Sequence, residues 1–498
     1  MFQIKNTLLE INGETLINVP DINIENGRTI GLIGPNGSGK STLLHYIKSH
    51  SGATDDIITL IPQLKDTGLE KSGGETTKLY LKEAFKRPAG VILLDEPTTH
   101  LDENNTNWLY QQLTGINAAM IIVSHDRDFL DKTVDEIWAV EDKTLNIYPG
   151  NYTKYKEIKA NHLKQQQSEY KKYRQEKAHL EEAVENKSRQ ADRANRVYDK
   201  AKGKYITKET PYFNKMQQRL HKVSKGIESR LNQLEEKEKP FEEKAVRFHN
   251  EQVQSLGKKT ILRMENETLS AGSRTILKDI SFYITAGDKV SITGPNGSGK
   301  TTFLSRLYEK HKDTSLKIGY FYQKLESLDT TLSIIENIMN TSRYSETAVR
   351  TMLARLNIKR DDVYKTVNVT SGGERVKVQL IKLLTADHQV LLLDEPTDFL
   401  DINTVEAFEE MLTAYPGTIV LVSHDKRFRE TVTDRSFRIK AARLKEEITV
   451  TERDAETDSL MIIENKISEV VGRLSISPTP ALEKEFDELI KRKKQLQK

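Results

Sequence analysis

The sequence predicts an α/β protein with two similar halves, each built on a parallel β-sheet and joined to the other by a helical hairpin. The Gly-rich heptapeptide "GPNGSGK" occurs twice, at 34–40 and 294–300. Each copy is followed by an apolar run ending in "DEP" and then by another ending in "SHD". Charged helix-forming residues fill the interval between the halves. Strands that alternate with helices in this order are typical of parallel sheets.

Composition sets the size and class of the protein. With 498 residues, 36% hydrophobic and 30% charged, the chain is long enough for about three packed domains. No apolar run reaches the 18 or so residues that a membrane helix needs, and the first residues do not resemble a signal peptide. There are no cysteines, which excludes disulfides and thiolate metal sites. A cytoplasmic protein without a membrane partner is expected.

Charge is distributed unevenly along the chain. The net charge is +3, yet residues 151–250 contain 25 Lys/Arg and 15 Asp/Glu, a local excess of +10. A basic segment of this kind either faces a polyanion or forms a solvated helical arm. Charge alone favours the second interpretation.

The two halves align motif by motif. Residues 29–42 match 289–302, residues 90–102 match 389–401, and residues 119–129 match 418–428. Internal repeats indicate repeated structural units. Each half therefore contains a strand, a Gly-rich loop, a helix and two further apolar strands.

Both Gly-rich loops fit the phosphate-binding pattern G-x-x-x-x-G-K-[ST], in which backbone N–H groups surround phosphates at a helix N-terminus. The lysines are expected to reach the terminal phosphates of ATP, and the hydroxyls that follow are expected to reach Mg²⁺. The predicted nucleotide-binding residues are Gly34, Pro35, Asn36, Gly37, Ser38, Gly39, Lys40, Ser41 and Thr42, and Gly294, Pro295, Asn296, Gly297, Ser298, Gly299, Lys300, Thr301 and Thr302.

Carboxylates at the ends of apolar strands provide the expected metal and catalytic groups. Asp95 and Asp394 end the "LLD" strands and are predicted to hold Mg²⁺ through water, together with the hydroxyls of Ser41 and Thr301. The adjacent carboxylates could activate water as general bases, and a histidine in each half could contact the γ-phosphate. The predicted catalytic residues are Glu96, Glu395, His125 and His424. Gln63 and Gln323 are further candidate Mg²⁺ contacts, or ordinary loop glutamines.

Between the halves the sequence predicts an antiparallel coiled-coil hairpin with helices of ~45 residues, reaching ~65 Å. Its expected tip loop, at about 193–216, interleaves cations with aromatic rings, as single-stranded RNA contact requires. The candidate RNA-binding residues are Arg193, Arg196, Lys200, Lys202, Lys204, Tyr205, Lys208, Tyr212, Phe213 and Lys215. Alternatively, Tyr212 and Phe213 close the loop onto its own helices.

The ordered set of Gly-rich loop, Gln, "SGGE", "LLDE" and "SHD" resembles the ATP-binding cassette (ABC) superfamily, and the resemblance covers both halves. In that family two cassettes pair head to tail, and each ATP lies between the phosphate loop of one cassette and the SGGE signature of the other. The resemblance thus implies two ATP sites and adds eight binding residues: Ser72, Gly73, Gly74 and Glu75, and Ser371, Gly372, Gly373 and Glu374.

The interval between phosphate loop and signature differs between the halves. Lys40 and Ser72 are 32 residues apart, whereas Lys300 and Ser371 are 71 apart. By resemblance, the first cassette has lost most of the helical insertion that helps transporters to dock their membrane subunits. The short interval therefore weakens an interpretation of the chain as the ATPase subunit of an exporter.

Paired cassettes with a charged helical linker look like the ABC-F group of translation-associated ATPases. Within that group the chain resembles Vga/Vml-type antibiotic-resistance proteins in "IPQLK", "LARLNIKRDDVYK", the "PYF" of the tip and "LSISPTPALEKEFDELIKRKKQL". The resemblance implies a monomer that enters the ribosomal E site, contacts P-site tRNA and large-subunit rRNA near the peptidyl-transferase centre, and protects against streptogramin A, lincosamides and pleuromutilins. The alternative is a housekeeping ABC-F factor that rescues stalled ribosomes.

These considerations divide the chain into four segments. The expected segments are a first nucleotide-binding domain at 1–150, a linker at 151–250, a second nucleotide-binding domain at 251–448 and a helical C-terminal extension at 455–498.

Overall fold

The computed structural model describes residues 2–11, 13–50, 58–63, 73–86, 89–99, 101–202, 210–237, 239, 248, 259–272, 274–322, 328–398 and 400–447. The expected C-terminal helices at 455–498 lie outside these residues, as do Ser72, Lys204, Tyr205, Lys208 and Gln323. At most positions of 191–202 and 210–221 only the helical backbone is described.

The strands are β1 (Phe2–Ile4), β2 (Thr7–Ile11), β3 (Glu14–Val19), β4 (Ile22–Ile24), β5 (Thr29–Ile33), β6 (Ile58–Ile61), β7 (Val91–Asp95), β8 (Ala119–Val123), β9 (Glu136–Glu141), β10 (Thr144–Pro149), β11 (Thr260–Ala271), β12 (Arg274–Thr285), β13 (Lys289–Thr293), β14 (Ile318–Phe321), β15 (Val390–Asp394), β16 (Thr418–Val422), β17 (Arg435–Lys440) and β18 (Arg443–Glu447).

The α-helices are α1 (Lys40–His50), α2 (Gly73–Ala84), α3 (Glu103–Thr114), α4 (Arg127–Thr133), α5 (Tyr152–Lys202), α6 (Thr210–Gln233), α7 (Lys300–His311), α8 (Ile334–Met339), α9 (Glu346–Arg355), α10 (Gly372–Thr385), α11 (Ile402–Ala414) and α12 (Lys426–Val432). Two short 3₁₀ turns, Arg360–Tyr364 and Val367–Val369, precede α10.

Each half folds around a mainly parallel sheet. The first sheet has the strand order β2-β3-β10-β9-β5-β8-β7-β6 and the second has the order β14-β15-β16-β13-β17-β18. Every residue of β5, β7, β8, β15 and β16 is buried, as expected for parallel strands covered on both faces. The predicted duplicated α/β fold is confirmed, and the carboxyl ends of its central strands meet at one edge in each half.

The second half contains a helical layer that has no counterpart among the described residues of the first half. Helices α8 and α9 pack against α10, and 50 residues separate Phe321 from Gly372. Only 11 residues separate Ile61 from Gly73 in the first half. The interval is too short for a comparable pair of helices.

The connection between the halves is a helical hairpin whose bounds differ from the prediction. Helix α5 has 51 residues, which corresponds to a length of ~77 Å, and it packs against the 24-residue α6. The expected loop at 193–216 is wrong in its bounds, because α5 includes 193–202 and α6 includes 210–216, while 203–209 lie outside the described residues. Pro211 lies in the first turn of α6, where its missing N–H has no intrahelical partner to lose. No helix among the described residues is long and apolar enough to cross a bilayer.

Candidate nucleotide site

The two Gly-rich loops follow the central strands β5 and β13 and lead into α1 and α7. Gly34 and Gly294 both have φ near +155°. A Cβ on Gly34 would lie 3.0 Å from the Cβ of Val140, and one on Gly294 would lie 2.9 Å from the hydroxyl of Ser298. Glycine is therefore required at these positions for both torsion and space.

The loop lysines are folded over their own loops. Lys40 Nζ donates to the carbonyl oxygens of Gly34 (2.8 Å) and Pro35 (2.9 Å), and Lys300 makes the corresponding contacts at 2.9 and 3.2 Å. Burial lowers the pKa of both lysines. The hydroxyls of Ser38 and Ser298 are buried and have no hydrogen-bond partner among the described residues, so each loop combines a cation with polar atoms that a phosphate would satisfy.

The predicted Mg²⁺ ligands Thr301 and Asp394 lie together, because the Thr301 side chain hydrogen-bonds to the Asp394 carboxylate. Burial raises the pKa of Asp394, and its Oδ1 has no hydrogen-bond partner in the part of the chain that the structure describes. In the described part of the chain no three His, Asp or Glu side chains are placed so that they could hold a metal ion together. A hydroxyl and one carboxylate fit Mg²⁺, which also takes water and phosphate ligands. In the first half Asp95 is buried, whereas Ser41 and Gln63 are exposed.

The predicted catalytic glutamates share a backbone conformation that is unusual for glutamate. Glu96 and Glu395 have φ values of +51° and +47°, in the left-handed region. Each N–H donates at 2.9 Å to the last carbonyl of the neighbouring strand, on Val123 or Val422. Such conformations are found at functional sites, where the surrounding structure imposes them.

A histidine accompanies each glutamate. His125 Nε2 lies 3.1 Å from Glu96 Oε1, and His424 Nε2 lies 3.3 Å from Glu395 Oε1. The backbone N–H of His424 also donates to Glu395 at 2.9 Å. The structure thus brings the four predicted catalytic residues into two matching pairs.

The signature of the second half begins α10. Ser371 caps this helix and forms a reciprocal capping box with Glu374, whose Oε2 accepts from Ser371 N at 2.8 Å. This contact gives the Glu374 side chain a role in positioning the helix. The sequence predicted Glu374 to be a nucleotide-binding residue. In the first half, Gly73, Gly74 and Glu75 begin α2.

Each phosphate loop is contacted by the other half. The N–H of Asn36 donates to Asp401 Oδ2 at 3.4 Å, and the N–H of Asn296 donates to Asp102 Oδ2 at 3.3 Å. Lys377, one turn beyond the signature, lies 3.8 Å from the same Asp401 oxygen. These contacts join the signature helix α10 to the opposite phosphate loop. Sequence analysis did not single out either aspartate, although both follow the matching "DEPTTHL" and "DEPTDFL".

The described geometry is that of paired cassettes, and the comparisons with known proteins agree. The sequence family described as ABC transporter matches residues 17–64 and 277–398. The chain is 32% identical to the ribosome protection protein VmlR of Bacillus subtilis (strain 168), covering 99% of this chain and 97% of that protein. The chain belongs to the ABC-F family. As an ABC-F protein it binds ATP and is an ATPase.

One further relative is similar in sequence, and one solved structure is similar in fold. The erythromycin resistance ATP-binding protein MsrA of Staphylococcus epidermidis is 32% identical, covering 82% of this chain and 91% of that protein. The solved structure of an RNase-L inhibitor has a TM-score of 0.58 at 17% identity, covering 90% and 91% of the two chains. At this identity the match shows the tandem-cassette fold alone.

A buried salt bridge also joins the two ABC-F cassettes away from the phosphate loops. Arg127 donates Nη1 to Glu409 Oε2 at 3.0 Å and Nη2 to Asp425 Oδ2 at 3.1 Å. Its side chain is 5% exposed. The corresponding residue of the second cassette, Lys426, is 53% exposed and contacts Glu430 of its own helix. The contact is therefore not repeated by the internal symmetry.

The burial of Glu395 leads to a prediction about stability. Burial, followed by the charge of Asp398, raises the pKa of Glu395 to about 8 from an ordinary 4.5. Because the folded-state pKa lies above the unfolded one, Glu395 favours folding below about pH 4.5 and progressively loses this contribution as the pH rises toward 8. We expect Glu395→Gln to raise the free energy of unfolding by several kcal/mol near pH 8.5 and hardly at all near pH 5.

Thermal unfolding of the ligand-free protein at the two pH values measures this effect. Glu10→Gln, which changes an exposed carboxylate, serves as the control and should show no such dependence. An equal shift in melting temperature at both pH values would contradict the assigned pKa.

Proposed function

We propose that this ABC-F ATPase binds the ribosome with its cassettes closed on two ATP molecules and protects the ribosome from antibiotics of the peptidyl-transferase centre. The observation that carries the proposal is the reciprocal contact of each phosphate loop with the opposite half, through Asp401 and Asp102. One chain supplies both partners, so a monomer is sufficient. The relatives support the ribosome as the target, since VmlR is named a ribosome protection protein.

The residues assign the chemistry within each site. Gly34–Thr42 and Gly294–Thr302 hold the phosphates, and the opposite signature closes over them. Glu96 and Glu395 orient and deprotonate the attacking water, while His125 and His424 keep these carboxylates in place. Bound through Ser41, Asp95, Thr301 and Asp394, Mg²⁺ would neutralise charge on the phosphate oxygens. Gln63 and Gln323 are proposed as its outer contacts.

The base of the arm touches both cassettes, which supports coupling between nucleotide and arm. In the first turns of α5, Tyr152 OH donates to Glu406 Oε1 at 2.8 Å and Lys156 Nζ donates to Glu406 Oε2 at 2.6 Å, in the second cassette. One turn further, Tyr155 OH and Lys159 Nζ donate to Glu141 of the first cassette at 2.9 and 2.8 Å. We infer that closure of the cassettes sets the direction of the arm.

The proposed partner of the arm is RNA. In the bound state, the basic and aromatic residues of 193–215 would contact large-subunit rRNA near the peptidyl-transferase centre and the P-site tRNA, with the protein in the E site. The division into domains at 1–150, 151–250 and 251–448 and an extension at 455–498 is part of this proposal.

Expression in a drug-sensitive bacterium tests the protective role. We expect several-fold higher inhibitory concentrations for at least one of streptogramin A, lincosamides and pleuromutilins, and co-sedimentation with ribosomes in the presence of a non-hydrolysable ATP analogue. A strain expressing Lys40→Ala/Lys300→Ala, which lacks both loop cations, is the control. Ribosome binding with unchanged inhibitory concentrations for all three classes would contradict protection and favour a housekeeping translation factor. Membrane association without ribosome binding would contradict both.

A further inference from the structure

The missing helical layer of the first cassette leaves one face of α2 exposed. Leu79 and Tyr80 are 52% and 39% exposed. Alignment through the SGGE signatures pairs them with Val378 and Gln379, which are 0% and 2% exposed. In the second cassette α8 and α9 pack against α10, and Val378 belongs to the same buried cluster as apolar residues of both helices. Among the described residues, the first cassette retains the helix α2 but has no helices that correspond to α8 and α9.

This exposed face has acquired a cluster of cations. Lys78 and Lys82 lie one turn apart on α2, and Lys86 lies in the chain turn just after the helix ends at Ala84. The Nζ atoms of Lys78 and Lys82 lie 5.0 and 5.6 Å from the ring centroid of Trp108 on α3. Contact with a ring face holds ammonium groups at a fixed place on the surface.

The cluster is specific to the first cassette. The residues that correspond to Lys82, Lys86 and Trp108 are Ile381, Thr385 and Ala407, all of them buried. Exposed acids on the same helices are Glu83 and Glu103, so residues 78–86 carry three lysines and one glutamate. We call Lys78, Lys82, Lys86, Tyr80 and Trp108 the α2–α3 surface.

We propose that the α2–α3 surface is an RNA-binding surface that docks on the phosphodiester backbone of ribosomal RNA, separately from the arm. The inference rests on the proposed association with the ribosome. Charge complementarity favours RNA, because lysines at helical spacing can meet successive phosphates while an exposed tyrosine can stack on an unpaired base. Because contact with Trp108 already restricts the side chains of Lys78 and Lys82, they lose less conformational entropy on binding than unrestrained lysine side chains do.

Charge reversal of two surface lysines tests the proposal without altering the nucleotide site. The full-length Lys82→Glu/Lys86→Glu variant should bind ribosomes about tenfold more weakly near 0.1 M salt, in the presence of a non-hydrolysable ATP analogue. The slope of log affinity against log salt should fall by about 1 to 2, because up to two phosphate contacts are lost. Its melting temperature and its ATPase rate without ribosomes should equal those of the wild type.

Two further variants make the result specific. Lys5→Glu/Lys48→Glu changes net charge equally at exposed sites outside α2 and α3 and should bind like the wild type. Lys82→Arg/Lys86→Arg keeps the cations and should retain both affinity and slope. If the charge-reversed variant does not fold, the neutral Lys82→Gln/Lys86→Gln variant replaces it, and full binding by that variant with an unchanged salt slope would overturn the proposal.

The remaining outcomes are also decisive. An unchanged affinity and slope in the charge-reversed variant, or equal losses in the charge control, would overturn an RNA-binding role for this surface. Weaker binding with an unchanged salt slope would indicate a protein partner and would also overturn it. If the wild type fails to bind ribosomes in any nucleotide state, the proposed function fails instead. Binding to isolated large-subunit rRNA, measured with the same variants, then decides this inference alone.

Discussion

Glu96→Gln/Glu395→Gln should reduce ATP hydrolysis by at least about 100-fold while leaving ATP binding intact, because general-base catalysis contributes roughly 10²–10⁴ to a rate. Each glutamate is held beside a histidine and in a left-handed backbone conformation. Glutamine retains the shape of the side chain but does not accept a proton from water at neutral pH. Phosphate release and equilibrium nucleotide binding measure the two effects separately.

The same variant should accumulate in the closed state on ribosomes, because hydrolysis is the step that releases the cassettes. Glu10→Gln/Glu14→Gln removes the same charge from exposed positions and should hydrolyse ATP normally. A double variant that kept the wild-type rate would show that the catalytic base lies elsewhere.

Arg127→Met should impair closure of the cassettes, because it leaves the buried Glu409 and the partly buried Asp425 without their shared cation. Removing one member of a buried ion pair typically costs 3–5 kcal/mol. We expect a non-hydrolysable ATP analogue to close the variant far less completely than the wild type. Since the natural chain has no cysteine, two introduced cysteines can carry spin labels or fluorophores that report the distance between the cassettes.

The internal repeat supplies the control for this experiment. Lys426→Met alters the corresponding residue, which is exposed and forms an ion pair with Glu430 of its own helix. This variant should close normally. Adding Glu409→Gln to Arg127→Met should restore part of the closure, because it removes an unpaired charge. The double-mutant cycle then gives the coupling free energy between Arg127 and Glu409. Normal closure of Arg127→Met would show that the salt bridge does not hold the halves together.

The sequence predicted the parts of the fold that follow local rules. Glycine spacing placed the phosphate loops, and apolar runs placed the buried strands that end at Asp95 and Asp394. Helix-forming residues indicated the arm, but the tip loop predicted at about 193–216 is too long, because most of this segment lacks an apolar period and is nevertheless helical. A solvated helix needs helix-forming residues more than a buried face, so α5 continues to Lys202 and α6 begins at Thr210.

Contacts between the halves could not be predicted in the same way. Arg127 and Glu409 are 282 positions apart, and their pairing depends on which surfaces of the two sheets meet. Internal symmetry misleads here, since the residues that correspond to Arg127 and Glu409 are Lys426 and Tyr110. The left-handed backbone of Glu96 and Glu395 was equally hidden, because no residue type encodes it.

In Asp102 and in Asp401, the two carboxylate oxygens accept hydrogen bonds from different parts of the protein. One oxygen caps the helix that begins after it, through Asn105 N or Thr404 N at 3.0 Å, and the other reaches the loop across the interface. When the cassettes part, only the second oxygen changes partner, from an amide to water. Release after hydrolysis can therefore proceed as a rigid separation of two intact bodies, without fraying the helices at the boundary.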